Sequence, residues 1–344
     1  MRILERSIAI CRGRPSTVLF PDGEDPRVVR AALRLRREGI AMPLVLGDPR
    51  KLHEILSRVG KRGEALDVID PASTDLAARN AQDYQALMAE RGKTISEQEA
   101  EKTVRCPLAA GCLIVRRGEA LAGIAGNISS TPDVMRAGLR ILGTAPGTKT
   151  VSGFFFMISP DGKKCFIYAD VGVIPEPTLE QLADISISSA ECYRNMMEEE
   201  PHVALLSFST KGSAKHPRVD RMREALELVR ARDPQLAVDG ELQFDAAIVP
   251  EVGKSKAPDS KVAGRANVFI FPSLEAGNIA YKITERLGNY TALGPLLQGL
   301  DGGWHDLSRG CDADDVYMVA VIGMALEIER QKAQRAATGQ KGGG

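Results

Sequence analysis

The 344-residue chain has few of the features that would mark a membrane protein, a metalloprotein or a nucleic-acid binder. Its longest apolar stretches, Phe154–Ile158 and Tyr317–Leu326, fall well short of the ~20 residues that a bilayer-spanning helix needs, so no membrane span is expected. It has no surplus of charge: 45 basic residues face 45 acidic ones. A balanced chain exerts no long-range field on nucleic acid or anionic lipid, so any anion must be recognised locally. Four histidines and six cysteines, at positions 11, 106, 112, 165, 192 and 311, include no C-x-x-C pair. That pattern assigns no metal and reads as reduced, structural thiols. Met1–Pro15 alternates charge with isolated apolar residues and lacks the apolar core of a signal peptide, which points to the cytoplasm.

Glycine-rich phosphate loops are missing as well. Gly92-Lys93-Thr94 and Gly253-Lys254-Ser255 look like the ends of P-loops, but the glycine required five places earlier is Leu87 or Ile248. Gly123 and Gly126 follow a strand-like run without completing G-x-G-x-x-G. Nucleotide hydrolysis and dinucleotide binding lose their main sequence support.

What is present is an alternation of β and α signals. Thr17–Phe20 is a β-prone run ended by Pro21-Asp22-Gly23; Asp25 then caps a helix with Pro26 at its first position and Gly39 past its end. The unit repeats as Pro43–Leu46 with Pro49–Val59, and as Leu66–Ile69 with a helix over Thr74–Arg91. A helix is expected over Glu97–Arg117, a strand over Ala120–Ala125, and a helix over Pro132–Leu142 opened by Ser130 and Thr131. Val151–Ser159 and Lys164–Ala169, joined by Pro160-Asp161-Gly162, predict a hairpin. A second series follows: helices near Leu179–Met197, Pro217–Arg232 and Ala276–Leu287, with strands at Val203–Phe208, Val268–Phe271 and Thr291–Leu297. A final helix spans about Asp314–Arg335. This order predicts parallel sheets covered by helices in an α/β protein of two domains. The expected division is 1–146 plus about 300–335 as one domain and 147–299 as the other, with 336–344 a disordered tail.

Functional groups gather at Asp306-Leu307-Ser308-Arg309-Gly310-Cys311, followed by Asp312, Asp314 and Asp315 at a helix start. A hydroxyl, a guanidinium, a carboxylate and backbone N–H groups can together polarise a carbonyl and hold a phosphoryl anion. By spacing alone, aspartates that complement a helix dipole and an arginine in a surface ion pair describe the segment somewhat better.

Longer blocks separate the two readings. Leu205–His216 (LLSFSTKGSAKH), Val238–Ala247 (VDGELQFDAA), Lys256–Pro258 with Ala266–Pro272 (KAP, ANVFIFP), Leu274–Lys282 (LEAGNIAYK) and Asp306–Cys311 (DLSRGC) run in the order seen in phosphotransacetylases. The chain resembles that family, particularly the type encoded with ethanolamine-utilisation enzymes. The resemblance implies two α/β domains like those of isocitrate and isopropylmalate dehydrogenases, an active site in the interdomain cleft, and a homodimer. It implies a phosphate acetyltransferase that interconverts acetyl-CoA plus phosphate with acetyl phosphate plus coenzyme A by direct transfer in a ternary complex. Coenzyme A is then a substrate, no cofactor is needed, and no nucleic acid or membrane partner is expected. The alternatives are a phosphate propionyl- or butyryltransferase and a non-catalytic acyl-phosphate or coenzyme A sensor. The ethanolamine-utilisation likeness adds a bacterial microcompartment lumen as an alternative location.

Carried over residue by residue, the resemblance makes Ser308, Arg309 and Asp315 the catalytic group, with Asp315 the base toward the coenzyme A thiol. Arg136, Arg286, Arg27, Ser130 and Thr131 match substrate-binding positions. Read as residues alone, Arg136 and Arg286 fit helix-surface partners of neighbours such as Asp133 and Glu285 better than they fit ligand-binding residues. The chain departs from the family where an arginine of a Leu-Arg-Lys-His-Lys-Gly stretch is Met88, where a cysteine after Ala-Asp is Val171, and where His-Ser-Thr reads Ser129-Ser130-Thr131.

Overall fold

The computed structural model describes residues 2–337. The chain divides into two compact units: Leu4–Ala145 with Leu300 onward form the first, and Pro146–Gly299 with the chain start up to Ile3 form the second. The elements run α1 (Arg2–Gly13), β1 (Thr17–Phe20), α2 (Pro26–Arg37), β2 (Met42–Leu46), α3 (Pro49–Val59), β3 (Asp67–Ile69), α4 (Thr74–Glu90), α5 (Glu97–Val104), α6 (Pro107–Arg116), β4 (Ala122–Ala125) and α7 (Thr131–Ile141). The second unit holds β5 (Ser152–Ile158), β6 (Cys165–Ala169), α8 (Leu179–Met197), β7 (His202–Leu206), α9 (Pro217–Arg232), β8 (Ala237–Leu242), α10 (Phe244–Ile248), α11 (Pro250–Lys256), β9 (Val268–Ile270), α12 (Leu274–Gly288) and β10 (Thr291–Gln298). The chain then returns to the first unit with β11 (Gly303–Asp306) and α13 (Ala313–Ala337).

Two expectations change. The single helix over Glu97–Arg117 is two helices, α5 and α6, broken at Cys106 with Pro107 opening the second. A proline ring has no N–H to give and excludes the carbonyl of the preceding turn, so it starts a helix where it cannot continue one. The tail expected from residue 336 begins inside α13, which runs to Ala337; the remainder of that expected tail lies outside the described residues.

The first sheet is wholly parallel, in the order β11-β4-β1-β2-β3. Side chains along β11 alternate between its two helical layers. Trp304 lies against α6 and α7, where a Cβ added at Gly111, Gly123 or Gly138 would come within 3.3, 2.4 or 3.0 Å of its ring. Its Nε1 donates to the Val134 carbonyl at 3.1 Å, so the one buried indole is also satisfied. His305 points the other way, onto α13, with Gly323 making room. Asp306 therefore returns to the α7 side.

The second sheet is mixed, in the order β10-β5-β6-β9-β7-β8, with β10, β5 and β6 antiparallel and the rest parallel. Its core packs Phe155, Tyr168 and Phe269. Strand β8 is buried although it carries two carboxylates. Asp239 pairs with Lys211 and Arg230, and Glu241 accepts from Arg223 Nε (2.7 Å), Ser209 Oγ (2.8 Å) and the Gly212 N–H (2.8 Å). Burial pushes the Glu241 carboxyl up, but these donors outweigh it and hold the group at about 2. Just past β6, buried Asp170 accepts from four backbone N–H groups, those of Gly153, Gly172, Val173 and Ile174, at 2.7–3.2 Å.

Candidate active site

In the first unit the chain leaves β1 toward β2 and β3, then comes back to place β4 on the other side of β1. The winding reverses there, the kind of place at which the carboxyl ends of parallel strands present their loops to a ligand. Three loops lie at those ends: 21–25 after β1, 126–130 after β4, and 307–311 after β11.

Asp22, buried in the first loop, organises the second. Its Oδ2 accepts from the N–H groups of Gly126 (2.9 Å), Ile128 (3.2 Å) and Ser129 (2.9 Å), and its Oδ1 accepts from Ser129 Oγ (2.5 Å). Gly126 has φ +103°, and a Cβ there would come within 2.2 Å of Asp306 Oδ1, so both the backbone and the packing demand glycine.

Arg27 ties the three loops together. Nε donates to Asp25, Nη2 to Asp25 Oδ2 (2.6 Å) and the Asn127 carbonyl (2.9 Å), and Nη1 to the carbonyls of Arg309 (2.9 Å) and Cys311 (2.7 Å). A guanidinium has five N–H groups, and here all five have protein acceptors. Arg27 thus holds the 307–311 loop to the loops after β1 and β4. Asp25 also caps α2 by accepting from the Arg27 N–H. Burial raises the Asp25 carboxyl, yet the hydrogen bonds from Arg27 and Asn127 bring it below the usual carboxylate range.

On that frame sits the exposed part of the site. Ser308 and Arg309 are exposed. Ser308 Oγ accepts from the Gly310 N–H (3.2 Å), which leaves its own proton available. Asp312 and Asp315 form a reciprocal cap at the start of α13: Asp315 N–H donates to Asp312 Oδ1 (2.8 Å), and Asp312 N–H donates to Asp315 Oδ2 (3.0 Å). One carboxylate oxygen of half-buried Asp315 is therefore engaged by the backbone. Cys311 is buried, and burial pushes its thiol up to about 11, which makes it a poor nucleophile at neutral pH.

At the entry to α7, Ser130 caps the helix by accepting from the Asp133 N–H and donates to Asp133 Oδ2 at 2.6 Å. Thr131 donates to Asp306 Oδ2, also at 2.6 Å. Asp306 is 3% exposed, and its Oδ1 has no hydrogen-bond partner. Burial lifts its carboxyl to about 6, the Thr131 hydroxyl and the Leu307 N–H work against that rise, and the charge of Asp22 adds to it. Arg136, exposed on α7, pairs with Asp133 Oδ1 at 2.6 Å. Arg286 belongs to the second unit, in the last turn of α12, and pairs with Glu285 Oε2 at 3.4 Å while staying largely exposed. The first unit thus carries Arg27, Ser130, Thr131, Arg136, Ser308, Arg309 and Asp315, and Arg286 belongs to the second unit. Sequence reasoning missed Asp22 and Asn127, which build the frame; the only signal was a carboxylate directly after a strand, read as part of a turn.

Among the described residues, no three His, Cys, Asp or Glu side chains converge to hold a metal ion, and no helix is long and apolar enough to cross a membrane. A family model described as "Phosphate acetyl/butaryl transferase" matches residues 2–324. A phosphate acetyltransferase of Acetivibrio thermocellus is 40% identical over 337 residues, 97% of this chain and 100% of that one. Among solved structures, the EutD phosphotransacetylase from Staphylococcus aureus superposes with a TM-score of 0.86 at 39% identity, covering 94% of this chain and 98% of the other. A phosphotransacetylase from Streptococcus pyogenes gives 0.88 at 40% identity, covering 95% and 98%.

Proposed function

The chain belongs to the phosphate acetyl/butaryl transferase family, and from that membership we infer that it is a phosphate acetyltransferase, exchanging an acetyl group between coenzyme A and inorganic phosphate. The observation that supports this most directly is the pair of exposed residues Ser308 and Arg309 beside half-buried Asp315, on a loop that Arg27 holds in place.

In the direction that forms acetyl-CoA, the thiol of coenzyme A attacks the carbonyl carbon of acetyl phosphate. The C–S bond forms, a tetrahedral oxyanion appears, and the C–O bond to phosphorus breaks to release phosphate. Asp315 takes the thiol proton on the oxygen not engaged by Asp312, and this proton-transfer role has the geometry of a helix start open to solvent. A free thiol titrates near ~8.5 and a carboxylate near ~3.9, so a cation must stabilise developing thiolate, and Arg309 supplies it. The Ser308 hydroxyl and the Arg309 guanidinium stabilise the oxyanion. Ser130, Thr131 and the start of α7 receive the phosphate, with Arg136 as a planar donor fork. Arg286 serves an anionic group of coenzyme A. Transfer is direct in a ternary complex, a reading supported by the buried, high-titrating Cys311 and by Val171 in place of a cysteine.

The protein acts as a homodimer in this reading. Ile279, Ile283 and Leu287 recur at helical spacing on α12 and are 52%, 53% and 81% exposed, an apolar stripe suited to a second copy. Its location is the cytoplasm, with a microcompartment lumen as the alternative.

The test is turnover of acetyl, propionyl and butyryl phosphates with coenzyme A, by wild type and Asp315→Asn. Acetyl phosphate should give the highest kcat/KM. Asp315→Asn keeps an oxygen to cap Asp312 but cannot take a proton, so kcat should fall by ~10²–10⁴ with the fold intact. A folded variant with wild-type kcat and an unchanged pH profile would remove Asp315 from the chemistry; preference for a longer acyl phosphate would move the specificity.

A further inference from the structure

Asp306 has no part in the chemistry above, yet it is the least satisfied polar group beside it. It ends β11, immediately before the loop that carries Ser308 and Arg309, and it is almost wholly buried. A buried carboxylate ordinarily gathers several donors, because leaving a charge in a poorly polar surrounding without them is costly. Neighbouring Asp22 does so, taking three N–H groups and a hydroxyl. Asp306 has one side-chain donor, the Thr131 hydroxyl on Oδ2, while Oδ1 faces the close-packed Gly126 backbone without a partner. Its surroundings are the Asp22 carboxylate from the loop after β1, glycine from the loop after β4, Thr131 from α7 and the neighbouring Leu307 N–H, which favours the charged form.

The Thr131 hydroxyl has a single proton. While Asp306 is charged, that proton is directed inward, to Oδ2. If Asp306 carries a proton on Oδ2, the carboxylic acid donates to Thr131 Oγ1, and the threonine proton is free to turn toward whatever lies at the start of α7. An anion placed there adds a second like charge near Asp306 and favours the neutral acid. The unpartnered Oδ1 also becomes cheaper to bury as the carbonyl oxygen of an acid than as half of a carboxylate.

We propose that binding of a phosphate dianion at the start of α7 is coupled to protonation of Asp306, which reverses the Asp306–Thr131 hydrogen bond and turns the Thr131 hydroxyl into a donor to the ligand. The inference rests on the reading above that Thr131 receives phosphate. The proton comes from solvent and returns to it when phosphate leaves, so the chemical equation of acyl transfer is unchanged. Asp306 is a positioning residue that acts through Thr131. That its carboxyl is already lifted to about 6 in the free protein means that only a modest further push is needed near neutral pH.

The test is calorimetric titration of the full chain with inorganic phosphate near neutral pH, in two buffers with different heats of ionisation, which counts the protons taken up on binding. Wild type should take up most of one proton more than Asp306→Asn, whose amide imitates the neutral acid by donating to Thr131; the ionisation of phosphate itself is common to both. Above the titration of Asp306, wild-type affinity should fall about tenfold more per pH unit than that of Asp306→Asn. Equal proton counts and parallel pH profiles overturn the proposal. If Asp306→Asn does not fold, infrared difference spectra of wild type decide: a new protonated-carboxyl stretch on adding phosphate supports the coupling, and its absence sinks it. Thr131→Val separates the two levels. A raised phosphate KM in that variant, together with equal proton counts in wild type and Asp306→Asn, leaves the site reading standing and defeats the coupling. An unmoved phosphate KM defeats both.

Discussion

Each unit places an aspartate at the carboxyl end of a buried strand, and the two are treated in opposite ways. Asp170, just past β6 in the second unit, is wrapped by four backbone N–H groups. Asp306, at the end of β11 in the first, accepts one hydroxyl on its side chain and leaves an oxygen bare. Burial raises both carboxyls above the usual value, and in both the hydrogen bonds oppose it. Asp170 shapes the backbone, drawing 153 and 172–174 around itself. Asp306 contributes little to shape, and its incomplete satisfaction leaves its proton free to come and go. Equal burial at equivalent places therefore does not mean equal purpose; the identity of the donors separates a structural carboxylate from a responsive one.

The largest effect expected from this contrast is on stability at Asp170. Asp170→Ala removes the acceptor of four backbone donors; the buried Gly153 N–H costs ~1–3 kcal/mol when left unmade, and the part-buried N–H groups of Gly172, Val173 and Ile174 add less each. The second unit should lose cooperative folding or show a large drop in urea midpoint, and Asp170→Asn, which keeps one acceptor oxygen, should fall between. A midpoint close to wild type for Asp170→Ala would erase the distinction drawn here.

Next comes the pH dependence that Asp306 imposes. Its folded-state titration near 6 lies above the 3.8 of an ordinary aspartate, so the native state binds the proton more tightly than the unfolded chain does. The sign follows: the stability that this one group contributes is fully present below about 3.8 and is lost as pH rises through about 6, by on the order of 3 kcal/mol in all. Asp306→Asn removes that slope, so the urea-midpoint difference between variant and wild type should grow from pH 4 toward pH 8, in the variant's favour. A difference that is flat with pH would mean that Asp306 does not titrate there.

The smallest effect concerns Arg27, whose role is fixed by protein acceptors as firmly as that of Asp170. Arg27→Lys keeps the charge but loses the fork that spans Asp25, Asn127, Arg309 and Cys311. It should lower kcat by roughly 10-fold, the scale of one or two charge-assisted hydrogen bonds, while the KM for coenzyme A stays within about twofold. A rise in that KM at unchanged kcat would make Arg27 a ligand-binding residue instead.

The sequence was legible where one physical signal dominated. Asp25 with Pro26 marks the start of α2 and Ser130 the start of α7, and each of these helices forms with that capping side chain in place. Strand β8 was missed because Ala-Val-Asp-Gly-Glu-Leu looks polar; its burial depends on Lys211, Arg223 and Arg230, which are distant or on other elements. Strand β11 was missed because Gly-Trp-His-Asp is short, and its pairing partner β4 lies far away in sequence. The Ser308 to Asp315 segment stood out because its polar groups are contiguous. Asp22 and Asn127 did not, since their roles arise from contacts about a hundred residues apart that only the parallel sheet creates.

That distance also bears on the order in which a ribosome delivers the parts. Strand β11 and helix α13 follow the whole of Pro146–Gly299, so the second unit has left the ribosome complete while the first still lacks its last strand. Until then β4 is an open edge, with its backbone groups unpaired on one side and the surfaces of α2 and α6 that later meet α13 and Trp304 uncovered. Nascent chains stalled or truncated before Gly303 carry an exposed strand and lack the 307–311 loop altogether. That loop and protection from aggregation thus arrive in the same late step of synthesis.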